Sequence, residues 1–519
     1  MNVKVSNVFS GIFYFALFFL SFFALINYPG NAVVYIVFTI ALNALLILGF
    51  TKDKIFFDTF IGIFFWLGYW LKLSVRVAFM GGEFQEPVGN FNGTGAAFDH
   101  ALIVTTCGVA ALLIAGLVRR RYFFSYADAA VRARHESTFA FYKRYRKPVL
   151  VLFFALFAAV GITNVIFGIY QRGSIPRTFL PFGLNGVYTW LLLFGMASVS
   201  AVILDCEFRI KNNPYLVSVM SLLECFVSNV SMLSRGMVLN GGSLMIGLAD
   251  NAKKRFVRLS LSYKLVIPVI FAVLFIASVF VVNHVRVALF FTYPYGNASV
   301  DVHPEKATVS PGEAAGSDRT AADARVPNTS PHANSVPRRD LNSVKLTKKS
   351  FIYTVNTIWV LLIDRWVGIE GAMAVSSYPH LGWDLWKRAW KEKFSNYGTS
   401  MFDLTFIRSP YLESDMLKHH FVSVPGILAF FYYPGSFSFL FISMFLLGLL
   451  AAGIEFIIYK LSGANLILCS LLSQVVAYRY AHFGYVPAQS YLLFGSLLLN
   501  VLIIYFFDKS LCYRNRKNN

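Results

Sequence analysis

The sequence predicts an all-α polytopic membrane protein with about twelve transmembrane helices, and three observations carry this prediction. Of the 519 residues, 57% are hydrophobic and only 14% are charged, whereas soluble domains carry about 25% charged residues. Apolar runs of roughly 20 residues, the length that crosses a bilayer, recur along the chain. Lys and Arg gather after alternate runs, as cytoplasmic loops do. Together these features exclude most soluble enzyme and repeat classes.

The apolar runs form nine spans before a long polar stretch and three after it. A hairpin at Ser234, Arg235 and Gly236 is predicted between spans seven and eight, in preference to one long tilted helix. Basic residues precede span seven and follow span eight, so these two flanks should lie on the same side of the membrane. The run 351–363 is too short to cross comfortably, so we predict a re-entrant or interfacial segment. The approximate spans are 8–27, 32–50, 55–80, 98–118, 148–170, 184–205, 215–234, 236–252, 264–284, 435–459, 464–482 and 488–507.

The basic residues predict which side each loop occupies. The formal net charge is +20, and cytoplasmic loops that orient the chain and meet anionic lipid explain it better than nucleic-acid binding does. Basic clusters follow spans two, four, six and eight, for example at Lys52, Arg119, Arg209 and Lys253, and also fill the C-terminal tail. Both termini are therefore predicted to be cytoplasmic, and the connections after odd-numbered spans to lie outside.

This topology divides the chain into three parts. Residues 1–284 hold nine spans, 285–434 form one large external loop, and 435–519 hold three spans and a basic cytoplasmic tail. Within the loop, 297–350 has no aromatic residue and is predicted to be a disordered insert.

A tryptophan-rich segment follows this insert. Trp383, Trp386 and Trp390 have helical spacing, with basic residues between them. They predict an amphipathic helix lying on the outer membrane surface, with packing against other loops as the alternative.

Arginines on the predicted outer side are the main sign of function, because short outer loops normally avoid them. One arginine alone is explained by a lipid headgroup or a structural ion pair. Together they predict a site for a multiply charged anion, since the planar guanidinium grips phosphate through two hydrogen bonds. A diphosphate would use several such groups, and sulfate or a carboxylate is the open alternative. The set comprises Arg76, Arg172, Arg177, Arg235, Arg286, Arg365, Arg408 and Arg479.

Candidate acid–base groups are fewer. Glu370 lies between Gly368 and Gly371, which are predicted to let the backbone approach a ligand closely. His419 and His420 precede span ten on the predicted outer side, where an imidazole serves either as a loop hydrogen-bonding group or as a base. Weaker candidates are Glu83, Glu86 and Asp364.

Three further charged residues fall within predicted spans, and no cofactor motif accompanies them. Asp58, Lys72 and Glu224 are predicted to be paired because burying a lone charge is costly, with a proton or ion path as the alternative. The sequence has no Walker A motif, no G-x-G-x-x-G, no H-E-x-x-H and no His/Cys metal spacing. No metal or cofactor is therefore predicted.

Several short motifs resemble those of a known family. They are the turn Ser234-Arg235-Gly236, Arg286 at the end of span nine, the segment RWVGIE beginning at Arg365, and HFVSVPG beginning at His420. With twelve spans, cytoplasmic termini and one large late periplasmic loop, the chain resembles the O-antigen polymerases. These are the Wzy-type oligosaccharide repeat-unit polymerases, which are related to the O-antigen ligases.

The resemblance implies a GT-C-like, metal-independent glycosyltransferase of the bacterial inner membrane with its active site facing the periplasm. The implied substrates are undecaprenyl diphosphate-linked glycans, as donor and as acceptor, and the implied protein partner is a chain-length regulator. Glu370 or His420 would deprotonate the attacking hydroxyl, and Arg365 would stabilise the departing diphosphate. The diphosphate would be bound by Arg286, Arg235, Arg177, Arg408, Arg76 and Arg479.

Two other functions remain open from the sequence. A lipid-linked oligosaccharide flippase or other transporter has a similar number of spans and tolerates intramembrane charges. It does not need an external region as long as 285–434, and no two-fold hydropathy repeat is evident. An O-antigen ligase would use the same donor.

Overall fold

The computed structural model describes residues 2–52, 54–84, 86–122, 126, 136–291, 363–394, 399–407 and 422–518. Every regular element in these ranges is a helix, which confirms the all-α class. Seven of the described helices are long and apolar enough to cross a membrane, so the chain is a helical membrane protein. That all twelve predicted spans cross, and which side faces outward, stay predictions.

All twelve predicted spans coincide with a described helix, and four shorter helices lie between them. The hairpin predicted at Arg235 is confirmed, because separate helices end at Ser231 and begin at Met237. The short helices that match no predicted span are α5, α11, α12 and α13. In chain order the helices are α1 (Asn2–Asn27), α2 (Ala32–Leu48), α3 (Phe56–Phe79), α4 (Gly95–Tyr122), α5 (Glu136–Arg144), α6 (Arg146–Phe167), α7 (Pro181–Ile210), α8 (Tyr215–Ser231), α9 (Met237–Lys254), α10 (Leu261–Phe291), α11 (Ile369–Ser376), α12 (Trp383–Trp390), α13 (Ile427–Phe431), α14 (Phe437–Leu461), α15 (Leu466–Ala481) and α16 (Ser490–Asn518).

Helix α15 lies at the centre of the bundle. It packs against α3, α7, α9 and α14, and most of its side chains are buried. The side chain of Asn465 caps its first turn, accepting hydrogen bonds from the backbone N–H groups of Ile467 and Leu468 at 3.0 Å each. Tyr478, Arg479 and His482 lie at the opposite end of α15.

Charged residues inside the bundle are held by specific partners. Arg119 of α4 pairs with Asp58 of α3 at 2.5 Å, and both side chains are almost fully buried. Lys72 pairs with Glu370, so the pairing predicted for Asp58 and Lys72 is confirmed. Glu224 meets no cation among the described residues; its carboxylate accepts a hydrogen bond from the Ser228 hydroxyl at 2.8 Å.

Replacing Arg119 with alanine should lower the stability of the folded protein by about 3–5 kcal/mol, because Asp58 stays buried after losing its ion-pair partner. Thermal unfolding of the purified protein in detergent measures this. Arg121→Ala is the matched control, since Arg121 is exposed on the same last turn of α4. Equal melting temperatures for the two variants would contradict the assignment.

The tryptophan helix forms as predicted and spans Trp383–Trp390. Its inner face packs on the start of α14, where the ring centroids of Trp383 and Trp386 lie 4.8 and 5.3 Å from that of Phe439. Trp383 and Trp390 nevertheless remain partly exposed, beside the exposed basic side chains of Lys387 and Arg388. The packing alternative is therefore realised, while contact with the membrane surface stays a prediction.

Candidate functional site

Two adjoining cavities bring together several of the charged groups that the sequence placed outside. Their volumes are about 300 and 120 Å³, and Arg365, Trp366, Tyr478 and His482 line both of them. The charged lining residues come from the connections after spans three, five, seven, nine and eleven, or from the helix ends that lead into them. The fold therefore gathers connections that the sequence predicts to share one side.

Two cations on α3 hold the segment that carries Arg365. Lys72 Nζ donates to the carbonyl oxygens of Asp364 and Trp366, at 2.9 and 2.6 Å. One turn further on, Arg76 donates to the Asp364 carboxylate at 2.6 Å. These contacts anchor the backbone on both sides of Arg365, whose side chain is itself exposed to the cavities.

Lys72 also forms an ion pair with Glu370, the carboxylate predicted as a candidate base. Lys72 Nζ lies 2.8 and 3.0 Å from the two carboxylate oxygens of Glu370, and both side chains are buried. Glu370 thus lies in the cavity wall, as expected, but both its oxygens neutralise Lys72. The contacts of Glu370 show it neutralising the lysine, and its role as a base stays a prediction.

Gly368 and Gly371 lie close to the backbone of other segments of the protein. This corrects the expectation that they allow close approach to a ligand. A Cβ atom at Gly368 would lie 2.1 Å from the carbonyl oxygen of Gly68, and one at Gly371 would lie 1.9 Å from that of Pro425. Gly68 belongs to a π-helical turn, Trp66–Leu71, that interrupts α3 just before Lys72. Such turns are frequent at functional sites.

Glu86 is the carboxyl group best placed to exchange a proton. It follows α3, lines the larger cavity and keeps an exposed side chain. Partial burial by the cavity walls raises the pKa of Glu86, and the Glu370 carboxylate raises it further, while Lys72 and Arg365 oppose the shift. In our prediction from sequence Glu86 ranked below Glu370, and the structure reverses that order.

The smaller of the two cavities is the one lined by several arginines. Arg172, from the loop after α6, and Arg235, from the turn between α8 and α9, line it together with Arg365. Arg286 lies behind them and donates to the backbone carbonyls of Arg172, at 2.9 Å, and of Leu233, at 3.0 Å. Arg286 therefore fixes the two arginine-bearing turns together, and it is not among the residues that line the cavity.

The turn before Arg235 is strained. Leu233 has a φ of +53°, a left-handed conformation that is costly for a residue with a branched side chain. The carbonyl of the preceding Met232 accepts a hydrogen bond from the Arg172 N–H at 2.9 Å. This strained conformation, stabilised by neighbouring contacts, places the Arg235 side chain beside that of Arg172.

The end of α15 supplies the aromatic wall between the cavities. The rings of Tyr478 and His482 stack with centroids 4.0 Å apart, and Nδ1 of His482 lies 3.2 Å from the Tyr478 carbonyl oxygen. Because a carbonyl only accepts, Nδ1 carries the proton and Nε2 is left as an acceptor. The Arg172 guanidinium interacts electrostatically with Tyr170 and Tyr478.

The remaining predicted arginines lie elsewhere, which corrects their assignment to one diphosphate site. Arg76 is buried against Asp364, and Arg177 is exposed beside Gly168. Arg479 donates to the Tyr485 carbonyl and to Ser490 in a different groove. The two other predicted site residues, His420 and Arg408, lie outside the residues that the structure describes. The segment 297–350 also lies outside them, as does the predicted re-entrant segment except for its last residue.

His482 was missed from the sequence, and Arg172 was left out of the predicted diphosphate site although it belonged to the outer arginine set. A signal existed for both: each lies within a few residues of the outer end of an odd-numbered span, as Arg235 does. Which of several such residues meet is a matter of tertiary packing. Hydropathy alone cannot separate Arg172 from Arg177, five positions later.

Comparisons with known proteins identify no relative: no family model, no curated protein and no solved structure matches the chain. The site is therefore interpreted from its own geometry. It combines three arginines, a carboxyl group of raised pKa and a histidine around two adjoining cavities. Such a site can bind a multiply charged anion and transfer a proton beside it.

Proposed function

We propose that the protein is a membrane glycosyltransferase that polymerises undecaprenyl diphosphate-linked repeat units into O-antigen or a related surface polysaccharide. It would act at the periplasmic face of the bacterial inner membrane. The observation that supports this most is the convergence of Arg172, Arg235 and Arg365, from three separate connections, on cavities that also contain Glu86.

In the proposed reaction, the bond between C1 of the donor sugar and the diphosphate oxygen breaks, and its electron pair stays on the diphosphate. Negative charge therefore grows on the leaving group in the transition state. Guanidinium groups fixed beforehand around that position stabilise it without reorganising. Arg365 suits this role because Lys72 and Arg76 hold the backbone around it.

The acceptor sugar hydroxyl attacks C1 in the same step and must lose a proton. Glu86 is the proposed base, since its carboxyl group opens onto the larger cavity and its pKa is raised toward the working pH. The side of the cavities lined by Glu86 would hold the acceptor sugar, and the arginine-rich side the diphosphate.

Deleting the gene in the native host tests this function directly, with the surface glycolipids separated by size. Loss of long chains, with a single repeat unit still attached to its acceptor, would support a polymerase, because export and attachment then still operate. If the single unit also disappears, the proposal is wrong. Lipid-linked polymer accumulating outside would then indicate a ligase, and its absence a flippase.

A further inference from the structure

A second, separate groove lies between α7 and α16. Its volume is about 650 Å³, within the range of roughly 300–1,000 Å³ typical of small-molecule sites. Its walls are largely apolar, with Trp190 and Phe194 from α7 and Leu492 and Leu493 from α16. A π-helical turn, Leu191–Gly195, lies in the α7 wall.

One end of this groove carries a cation. Arg479 donates to the Tyr485 carbonyl at 3.2 Å and to the Ser490 hydroxyl at 3.1 Å. No carboxylate of the described residues pairs with it, and the side chain is only partly exposed. A half-buried guanidinium without a counter-ion, above an apolar groove, complements an amphiphile with an anionic headgroup.

The groove adjoins the arginine-rich cavity. Tyr170 lines the groove and interacts electrostatically with Arg172, which lines the cavity. Arg479 and Tyr478 are neighbours in the chain, yet Arg479 lines the groove and Tyr478 lines the cavities. The end of α15 therefore separates two anion-binding surfaces.

We propose that this groove is a second site for a lipid diphosphate, with the isoprenoid tail along α7 and α16 and the diphosphate at Arg479. The inference rests on the proposed function, because polymerisation must hold two lipid-linked glycans at once. One lipid diphosphate occupies the cavities of Arg172, Arg235 and Arg365. The other occupies the groove, and the two sugar chains meet at the end of α15.

Two glycines provide a matched test of groove occupancy. Gly186 lines the groove, and a Cβ atom built there meets no other atom within 4 Å. Gly495 of α16 has equally open surroundings but is not part of the groove wall. Gly186→Leu therefore narrows the groove without a clash, and Gly495→Leu is its control. Arg479→Gln removes the charge.

The full-length protein, in nanodiscs of phosphatidylcholine, is exposed to an isoprenyl diphosphate that carries a diazirine in its tail. Labelled peptides are then mapped by mass spectrometry. The wild type and Gly495→Leu should be labelled at 190–194 and 489–496. Labelling there should fall at least about tenfold in both Gly186→Leu and Arg479→Gln. The first variant fills the space for the tail, and the second removes the charge that binds the diphosphate.

Undiminished labelling in Gly186→Leu would overturn the inference, as would equal labelling by a diazirine-tailed phosphatidylglycerol, which would make the groove a general phospholipid site. Arg365→Ala should leave groove labelling unchanged, since Arg365 lines only the cavities. The result is independent of the gene deletion. Failure of the polymerase test leaves a measured lipid site, and failure of labelling leaves the polymerase standing.

Discussion

Long polysaccharide chains should disappear when Arg365→Ala replaces the wild type in the deletion host, while the protein remains folded in the membrane. Removing one preorganised charge-stabilising group typically costs about 10²–10³ in rate. Arg365 is exposed to both cavities, so its loss leaves no buried charge unpaired. The glycolipid ladder, at matched protein levels, measures the effect.

Arg177→Ala is the control for this experiment, because Arg177 was predicted from sequence for the same role but is exposed away from both cavities. It should give the wild-type ladder. Arg365→Lys should restore only part of the chain length, since an ammonium group cannot bind phosphate through a planar pair of hydrogen bonds. A full ladder from Arg365→Ala would remove this residue from the mechanism.

Glu86→Gln should reduce polymerisation by about 10²–10⁴, the usual contribution of a general base. The base form is the carboxylate, so wild-type activity should rise with pH as Glu86 loses its proton. Because burial and the Glu370 charge raise the pKa of Glu86, this rise should lie above the usual range of a glutamate. Polymer formed at several external pH values measures it, and the rise should be absent from Glu86→Gln.

Glu83→Gln is the matched control, since Glu83 is an exposed carboxylate in the same loop and lines neither cavity. Glu370→Gln should behave differently from both: it leaves Lys72 buried without its counter-charge, so less folded protein should accumulate. If Glu370→Gln were stable and inactive while Glu86→Gln kept full activity, Glu370 would be the base after all.

Much of this architecture can be read from local sequence. Hydropathy placed a helix at each of the twelve apolar runs, because the length and composition of a run are properties of the run itself. Basic flanks predicted the hairpin at Arg235. The spacing of Trp383, Trp386 and Trp390 predicted α12. The argument that outer arginines are unusual also selected Arg235 and Arg365, which do line the shared cavities.

Tertiary structure alone decided which of these residues act together. The pair of Lys72 and Glu370 joins positions 298 residues apart. It engages both oxygens of a carboxylate predicted as a base, whereas Glu86 opens onto the larger cavity. Tertiary packing also directs Arg286, a candidate for ligand binding, to the backbone carbonyl of Arg172. It places Arg479 in a separate groove. Hydropathy and spacing record the surroundings of a residue along the chain. Contacts between distant segments depend on how the helices pack, and local sequence patterns do not determine that packing.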